Sequence, residues 1–468
     1  MKNSVIKIIL LLSVMAFTSY IAAAQNKSGF VSLFDGKTLK GWKNINDIDK
    51  AKGFKVIGGG TGLFVNNGVI KGISDSNESA LLATENEYGD FILELDVKSD
   101  GTVADAGIQL HGQIVVIGYS SVLTGTQCEI DPHDKKWTGG IFDTYKRGWL
   151  YPVDLNAKAK NAFKTGIYNH IKIECIGSVT KTWVNGIATA YIIDTIHAKG
   201  FIGLQLHGIS NDAVNDGTGI YFKNIKIKTT NLMPTPFPKG IYVVNLQPNT
   251  LSEYEMQNGW KLLFDGKTSA GWRSATKPNF PEKGWDISNG IIMSDPQVKD
   301  QPSGGDIITE KKYHAFDLSF EFKTTPAANS GVKYFVKLDE KSGAPIGLEY
   351  QVLDDALNPD AKLGRYGNRT ESSLYDLIPA KKPVVAQRPV GEWNIGRIIV
   401  YPNNHVEHYL NGVKVLEYDR GSPAFRDSVA ISKFKNFPNF AEAPEGYILL
   451  QDHGCVVSYR NIKLRELN

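Results

Sequence analysis

Two stretches of the chain decide its fold. One is Phe91-Ile92-Leu93-Glu94-Leu95-Asp96-Val97-Lys98, and the other is Phe316-Asp317-Leu318-Ser319-Phe320-Glu321-Phe322-Lys323. In both, an apolar residue stands at every second position. A period of two with one apolar face indicates a β-strand that is buried on one side. The sequence therefore predicts a sheet that covers a core in each half of the chain.

The rest of the chain supports an all-β fold. Asn185-Gly186 and Asn411-Gly412 lie between apolar runs, which is the strongest short-range signal for a β-hairpin. Ile171, Ile173 and Cys175 continue the alternation. No long stretch carries a helical apolar stripe, and glycine is abundant (46 residues) while methionine is rare (5 residues). We expect two-sheet sandwiches of jelly-roll type, in which one curved face stays open for a ligand.

Sequence landmarks recur in the same order in the two halves. Leu33-Phe34-Asp35-Gly36-Lys37-Thr38 returns as residues 263–268, and Gly-Trp follows three residues later in both copies. Leu204-Gln205-Leu206-His207-Gly208 corresponds to Leu450-Gln451-Asp452-His453-Gly454. An internal repeat of this kind indicates two copies of one domain.

The repeat sets the expected domain boundaries. The first domain is expected at 28–230 and the second at 250–468, joined by a proline-rich linker at 231–249. Thr250-Leu251-Ser252-Glu253 predicts a capping box for one short helix.

The first 24 residues are typical of a secretory signal peptide. Lys2 and Lys7 precede an apolar run, and Ala22-Ala23-Ala24 offers a cleavage site. We expect a periplasmic or secreted protein without a membrane anchor. Without Lys2 and Lys7, 50 basic residues face 49 acidic ones, a net charge of +1. This balance does not favour a nucleic-acid partner, and we expect a monomer.

Cysteine use and the unpaired histidines carry little functional signal. Cys128, Cys175 and Cys455 are too few and scattered for a disulfide framework, and Cys175 is expected in the core. Four histidines have no partner in the other copy and are interpreted as surface or loop residues: His133, His197, His314 and His405.

Polar residues that recur in both copies are the best candidates for a site. Gln205 and His207 share one strand face, as do Gln451 and His453. A solvated or structural histidine is the plain alternative, but the whole Gln-x-His-Gly pattern returns. Imidazole can carry protons near neutral pH.

An acidic cluster forms the second candidate. The strand pattern places Gln127, Glu129 and Asp131 on one face, and it pairs Glu349 with Gln351. Such groups can bond hydroxyls, and a carboxylate can act as a base. Gln109 and His111, with Glu129 and His207, could also hold a divalent cation through mixed nitrogen and oxygen ligands, which is the one candidate cofactor.

Together, these motifs resemble the 3-keto-disaccharide hydrolase family. In the second domain the resemblance covers nearly all of the copy. It rests on the Leu-Phe-Asp-Gly-Lys-Thr motif and on Asn329-Ser330-Gly331, Tyr350-Gln351-Val352-Leu353-Asp354-Asp355, Gly391-Glu392-Trp393-Asn394, His408-Tyr409-Leu410-Asn411-Gly412 and residues 450–454. The first domain resembles a subgroup through Cys128-Glu129-Ile130-Asp131 and the stretch 137–149, but it has Asp105-Ala106-Gly107 in place of Asn-Ser-Gly.

The resemblance implies two tandem concanavalin A-like jelly rolls that act on glycosides oxidised to a ketone at carbon 3. A base would remove the proton on carbon 2, the aglycone would leave from carbon 1, and water would add. As hypotheses, His453 or Glu349 is the base of the second domain and His408 a second proton carrier, while Glu129 and His207 serve the first domain.

Further side chains are expected to contact the small carbohydrate substrate. In the first domain these are Gln109, His111, Gln127, Asp131, Tyr145, Arg147, Trp149, Asn185 and Gln205, and in the second they are Glu321, Gln351, Asp354, Arg365, Tyr375, Asn394, Asn411 and Gln451.

Two other functions stay open. A concanavalin A-like protein can bind carbohydrate without cleaving it, because fold does not fix function. An ordinary glycosidase would need two carboxylates about 5–10 Å apart. Glu129 with Asp131, or Glu349 with Glu321, would then be the pair.

Overall fold

The structure, a computed structural model, describes residues 29–45, 62–73, 79–101, 105–117, 120–207, 219–294, 304–339 and 343–468. The predicted signal peptide lies outside these ranges, so export stays a prediction. Across the ranges given, none of the helices has both the length and the apolar character to cross a membrane.

The first half of the chain folds into strands that form two sheets. The strands are β1 (Val31–Ser32), β2 (Trp42–Asn44), β3 (Gly62–Asn66), β4 (Val69–Ile73), β5 (Ala80–Tyr88), β6 (Phe91–Ser99), β7 (Ala106–Ile117), β8 (Ser120–Ile130), β9 (Ile141–Thr144), β10 (Gly148–Tyr151), β11 (Asn169–Ile176), β12 (Val179–Val184), β13 (Ile187–Ile193), β14 (Gly200–Leu206) and β15 (Gly219–Lys228). The front sheet has the order β10-β9-β8-β7-β14-β5-β2. The back sheet contains β13-β12-β11-β6-β15-β4-β3, with β1 beside β15.

The second half repeats this arrangement. After β16 (Val244–Asn245), its strands are β17 (Lys261–Leu262), β18 (Trp272–Ser274), β19 (Trp285–Ser288), β20 (Ile291–Ser294), β21 (Ile307–Tyr313), β22 (Phe316–Thr324), β23 (Asn329–Leu338), β24 (Pro345–Leu353), β25 (Asn394–Val400), β26 (His405–Leu410), β27 (Val413–Asp419), β28 (Gly446–Leu450) and β29 (Val457–Glu466). The front sheet has the order β18-β21-β28-β23-β24, and the back sheet β19-β20-β29-β22-β25-β26-β27.

Helix is scarce in the described part of the chain. Its helices there are α1 (Glu253–Gln257) and α2 (Pro423–Ala430), and short 3-10 turns span Val153–Ala159, Pro359–Lys362 and Val384–Ala386. The capping box of α1 forms two residues later than predicted, between Ser252 and Glu255, because Ser252 has the extended conformation that an N-cap needs.

Each half encloses its own apolar core between its two sheets. Leu93 and Leu95 of β6 are fully buried against the front sheet, and Phe320 and Phe322 of β22 play the same part in the second half. Cys175 lies in the first core, as predicted. The prediction of an all-β chain with two tandem sandwiches of jelly-roll type is therefore confirmed.

The two sandwiches pack against each other through the back sheet of the second. Tyr409, on the outer side of that sheet, joins the core cluster of the first sandwich. The Tyr242 hydroxyl lies 2.8 Å from Ser319 Oγ, and the Arg397 guanidinium stacks over the Tyr242 ring. The proline-rich segment is not an open spacer, since β16 runs parallel to β13 of the first sandwich.

Candidate functional site

Three neighbouring strands of the first front sheet carry a row of polar residues. The register pairs Gln205 of β14 with Gly107 of β7, and Gly107 with Glu129 of β8. Cys128 next to Glu129 lies in the core, so the row is on the outer side of the sheet. A Cβ at position 107 would come within 1.9 Å of Gln127 Nε2. The glycine therefore leaves the space that the side chain of Gln127 occupies.

Asp105 and His207 meet this row at the strand ends. The His207 backbone N–H donates to the Asp105 carbonyl at 2.9 Å. One side-chain ligand atom each from Asp105, Glu129 and His207 lies within 4.8 Å of the others. Gln127 Nε2 donates to Glu129 Oε1 at 2.9 Å. The structure thus brings the predicted Glu129, His207, Gln127 and Gln205 to one face, and it adds Asp105.

The acids of this face differ in their affinity for protons. Burial raises the pKa of Glu129 well above its usual value, and the neighbouring Asp105 and Asp131 raise it further. Burial also raises the pKa of Asp105, although the nearby His207 opposes this. Burial acts on Asp131 in the same direction, but hydrogen bonds from His133 outweigh it and lower the pKa of Asp131. Glu129 is therefore the acid most disposed to hold a proton.

His133 is a residue that the sequence analysis misses. Its Nδ1 lies 2.8 Å from Asp131 Oδ1, and this hydrogen bond raises the pKa of His133. The available signal was the spacing Asp131-Pro132-His133, in which a turn can bring the two side chains together. Asp131 also lines a cavity of about 280 Å³ at the edge of the front sheet.

The stretch 137–149 of the first sandwich, with the expected ligand residues Tyr145, Arg147 and Trp149, is mostly engaged in packing. Arg147 forms ion pairs with Asp143 and Asp194. Trp149 packs edge-on against Trp137 with ring centroids 4.6 Å apart. Arg147 and Trp149 therefore stabilise this part of the first sandwich, and these contacts occupy the side chains that were expected to bind ligand. Tyr145 is 60% exposed and remains available.

Other predicted ligand residues of the first sandwich are placed differently. His111 is not part of the cluster, because its Nε2 lies 2.8 Å from the Gly89 carbonyl and its ring packs edge-on against Phe91. Asn185 has a left-handed backbone (φ 50°) and bonds to Ala162 and Asn169, so it stabilises the hairpin turn. The side chain of Gln109 lies on the same face as the row, but its Nε2 donates to the Gly125 carbonyl at 2.9 Å.

The second front sheet carries the same row with other residues. Gln451 bonds to Gly331 at 3.0 Å through its backbone, and Gly331 pairs with Gln351. Gln351 Nε2 donates to Asn329 Oδ1 at 3.1 Å. The Oε1 atoms of Gln351 and Gln451 are buried and have no hydrogen-bond partner within the described part of the chain. Such carbonyl oxygens are free to accept hydrogen bonds from a ligand.

An acid and an ammonium group stand next to this second row. Lys333 of β23 pairs in register with Glu349 of β24, and Lys333 Nζ lies 3.9 Å from Glu349 Oε2. Burial raises the pKa of Glu349, with Asp306 adding to the effect, while Lys333, Lys433 and His453 reduce it. Burial likewise raises the pKa of Asp306, which Lys333 opposes. The face therefore combines carboxyl groups, fixed positive charge and a histidine.

A cavity of about 270 Å³ in the second sandwich is lined by Arg365 and Lys433 among others. Lys433 Nζ lies 4.0 Å from the centre of the Tyr375 ring, and burial lowers the pKa of Lys433. Tyr375 donates its hydroxyl to Asp360 and its backbone N–H to the carbonyl of Glu349. Tyr375 thus contacts the backbone of Glu349, and the charge of Lys433 acts on the Glu349 carboxylate. Arg365 lines the same cavity as Lys433.

His408 is placed in the core and not at the site. It is fully buried, its Nε2 lies 2.8 Å from the Tyr334 hydroxyl, and its Nδ1 lies 3.0 Å from the Ser372 carbonyl. Burial lowers the pKa of His408 to about 4. The prediction of His408 as a proton carrier for substrate is therefore wrong, because both ring nitrogens are used inside the sandwich.

Four more predicted contacts in the second sandwich are structural. Asn411 donates to Ala386 and Asn394, which closes a turn. Asp354 accepts backbone N–H groups at the end of β24. Glu321 lies in the back sheet, where it bonds Arg460 and Asn461. Asn394, Asn411, Asp354 and Glu321 are thereby removed from the ligand set.

Charged and neutral side chains occupy different positions of the row in the two copies, as the strand registers show. Each row contains one glycine, Gly107 or Gly331, called the row glycine. Opposite it, Glu129 in the first copy corresponds to Gln351 in the second. Two residues earlier, Gln127 corresponds to Glu349, and both fill the space above the glycine. On the central strand, Asp105 corresponds to Asn329 and Gln109 to Lys333. Gln205 and His207 keep their identity as Gln451 and His453.

Known proteins resemble each of the two halves of the chain separately. The sequence profile of the 3-keto-alpha-glucoside-1,2-lyase-like domain matches residues 29–228 and 259–465. A 3-keto-disaccharide hydrolase of Bacteroides thetaiotaomicron is 39% identical over 234 residues, which cover 45% of this chain and 79% of the relative. A solved structure of a candidate glycosyl hydrolase from Parabacteroides distasonis is 29% identical, with a TM-score of 0.42, and the match covers 47% of this chain and 100% of that chain.

Proposed function

We propose that this chain, which belongs to the 3-keto-alpha-glucoside-1,2-lyase-like domain family, cleaves glycosides oxidised at carbon 3. We propose further that the second sandwich performs the cleavage. The observation that carries the assignment is the buried Glu349 beside Lys333, at a contact of 3.9 Å. The name of the Bacteroides thetaiotaomicron relative supports the substrate class.

The chemistry of a 3-keto-glycoside sets three requirements. The ketone acidifies the proton on carbon 2, so a base can remove it and form an enolate. The enolate oxygen must be stabilised by a positive or hydrogen-bonding group. The leaving oxygen on carbon 1 must receive a proton. This route avoids an oxocarbenium ion and therefore does not need the paired carboxylates of an ordinary glycosidase.

The second front face offers one group for each requirement. Glu349 is the proposed base, because a raised pKa brings a carboxylate closer to the strength that proton abstraction needs at neutral pH. Lys333 is the proposed partner of the enolate oxygen. His453, which is exposed at the end of β28, is the proposed donor to the aglycone.

The reaction balances with water as the only co-substrate. The electron pair of the C2–H bond forms the C2=C3 bond of the enolate, the π pair of the ketone moves onto its oxygen, and the proton goes to Glu349. The enolate re-forms the ketone as the C1–O bond breaks, and the aglycone takes a proton from His453. Water then adds across the C1=C2 bond, placing hydroxyl on carbon 1 and hydrogen on carbon 2. The Oε1 atoms of Gln351 and Gln451, which have no partner within the described ranges, accept hydrogen bonds from sugar hydroxyls.

The glycosidase alternative loses one of its carboxylate pairs. Glu349 stands on the front sheet, whereas Glu321 stands on the back sheet and is bonded to Arg460 and Asn461. These two cannot flank one glycosidic bond. The pair Glu129 with Asp131 belongs to the first sandwich, where Asp131 is held by His133.

For the first sandwich we propose carbohydrate binding without this base-and-ammonium pair. It keeps the row glutamine, whose Oε1 is buried without a partner among the described residues, and the histidine that follows. It has Gln109 where the second copy has Lys333, so no ammonium group stands in register with the acid position.

The test is product release from a synthetic 3-keto-glucoside, measured beside the same glucoside unoxidised. We expect release from the keto-sugar alone, lost in Glu349→Gln, with binding retained by calorimetry. Release from the unoxidised glucoside would contradict the elimination route. Saturable binding without release from either sugar would leave a two-site carbohydrate-binding protein.

A further inference from the structure

We propose that the first sandwich binds one divalent cation through Asp105, Glu129 and His207, and that the second sandwich has lost this site. The binding itself is independent of the reaction proposed above; only a contact between the cation and sugar would rest on that function.

The three side chains come from separate segments and converge on one point. Asp105 precedes β7, Glu129 is in β8, and His207 follows β14, and their ligand atoms lie within 4.8 Å of one another. Two carboxylates and one imidazole form a mixed oxygen and nitrogen set, which suits Mn²⁺, Fe²⁺, Co²⁺ or Zn²⁺ better than Ca²⁺. Three protein ligands also leave coordination positions open for water or sugar oxygens.

The face contains buried oxygen atoms that no group in the described part of the chain satisfies. Asp105 Oδ1 is buried and has no hydrogen-bond partner among the described residues. Gln205 is only 7% exposed, and its Oε1 also has no hydrogen-bond partner among the described residues. Gln205 pairs with Gly107, which lies between it and Glu129 in the row. Unpaired buried oxygens are costly, so they point to a ligand at this position.

The described lysines and arginines form no ion pair with Asp105 or Glu129 within the ranges that the structure covers. Glu129 instead accepts one hydrogen bond, from the neutral Gln127. Two carboxylates this close repel each other when both are ionised, so either a proton or a cation must lie between them. The open oxygens and the nearby imidazole favour the cation.

The second sandwich provides an internal comparison. The positions of Asp105 and Glu129 are taken by Asn329 and Gln351, and the two amides bond directly to each other at 3.1 Å. The histidine is kept as His453. Replacing both acids by their amides preserves shape and removes two negative charges, which leaves a weak ligand set for a cation.

The experiment uses the full chain, freed of metal with a chelator and then titrated with Mn²⁺, with bound metal read by electron paramagnetic resonance. We expect one saturable site per chain. The double variant Asp105→Asn with Glu129→Gln should lose it, and because these substitutions reproduce the second copy, the variant should fold with an unchanged far-UV spectrum.

The matched control is Asn329→Ala with Gln351→Ala, which changes the corresponding pair and should retain one site. No saturable Mn²⁺ site in the wild type, or an unchanged site in the Asp105/Glu129 variant, would overturn the proposal and assign a shared proton to the acid pair. Loss of the site in the control variant would place the cation in the second sandwich, which also overturns it. Keto-glycoside cleavage is measured separately, so failure of one proposal does not imply failure of the other.

Discussion

The two front faces share one backbone frame and distribute charge in opposite ways. In the first, the acids stand at the strand end and opposite the row glycine, next to a histidine. In the second, both positions carry amides, while an acid appears two residues away in register with Lys333. The comparison teaches that duplication kept the hydrogen-bonding row and changed the charged groups around it. The first arrangement attracts a cation, and the second contains its own fixed positive charge.

Removing the acid of the second face should have the largest effect on activity. We expect Glu349→Gln to lower kcat/KM for a 3-keto-glucoside by about 10²–10⁴-fold, because a general base contributes this much. The measurement is initial-rate aglycone release. Glu321→Gln is the control, since Glu321 is equally buried in the other sheet of the same sandwich, and its melting temperature is checked in parallel. Loss of release in Glu129→Gln instead would assign cleavage to the first sandwich.

The next change converts the second face toward the first. Lys333→Gln introduces the residue type found at Gln109, and we expect a loss of kcat of about 10²–10³-fold because the enolate loses its charged partner. The charged groups acting on Glu349 are Lys333, Lys433, His453 and Asp306. Since Lys333 lowers the pKa of Glu349, its removal should raise that pKa.

The pH profile supplies a separate readout of the same change. The base works deprotonated, so the acid limb of kcat/KM should move to higher pH in Lys333→Gln. Lys337→Gln is the control, because Lys337 is on the same strand and exposed. A lower or unchanged acid limb in Lys333→Gln would exclude Glu349 as the titrating base.

Much of the fold could be predicted from the sequence, because period-two alternation and the repeat are local patterns. The position of His408 was also within reach. His408 lies two residues from Val406 and from Leu410, which are both fully buried. The alternation therefore places His408 on the same, core-facing side of β26. A motif match led to the wrong role. Likewise Asn185 and Asn411 belong to hairpin turns with left-handed backbone (φ 50° and 49°), which asparagine tolerates.

The charged partners of the site could not be predicted in the same way. Asp105, Lys333 and Asp306 come from strands that meet only through the sheet register, and a single sequence does not specify which residues stand opposite one another. The exchange of Gln127-x-Glu129 for Glu349-x-Gln351 is visible in the sequence. Its meaning depends on which position faces the row glycine, which the register decides.

A stability measurement tests whether the cores behind the two faces correspond. Thr182 donates to the Gly139 carbonyl in the first sandwich, and His408 faces the Ser372 carbonyl at the corresponding place. Each contact anchors the loop that bonds to the site strand. We expect His408→Gln to reduce the free energy of unfolding by about 1–3 kcal/mol, and Thr182→Val by about 1 kcal/mol.

The pH dependence of unfolding distinguishes these two anchors. Burial lowers the pKa of His408 from 6.5 to about 4, so the unfolded chain binds the extra proton in this window. Stability from the neutral imidazole is fully present above pH 6.5 and declines as pH falls, by about 1.4 kcal/mol per pH unit. The difference in unfolding free energy between wild type and His408→Gln should show this slope, and that for Thr182→Val should not. A flat difference for His408 would mean that folding does not lower its pKa.

The smallest expected effect concerns the residues that the two faces share. Gln205 and Gln451 present corresponding oxygens that have no partner among the described residues, so each should accept one hydrogen bond from sugar, worth about 1 kcal/mol or a fivefold change in Kd. Calorimetry with the keto-glucoside, in the Glu349→Gln background that prevents turnover, should show two sites. Gln451→Met should weaken one and Gln205→Met the other. If both variants weakened the same site, only one face would bind sugar, and the row would be a remnant of duplication in the other.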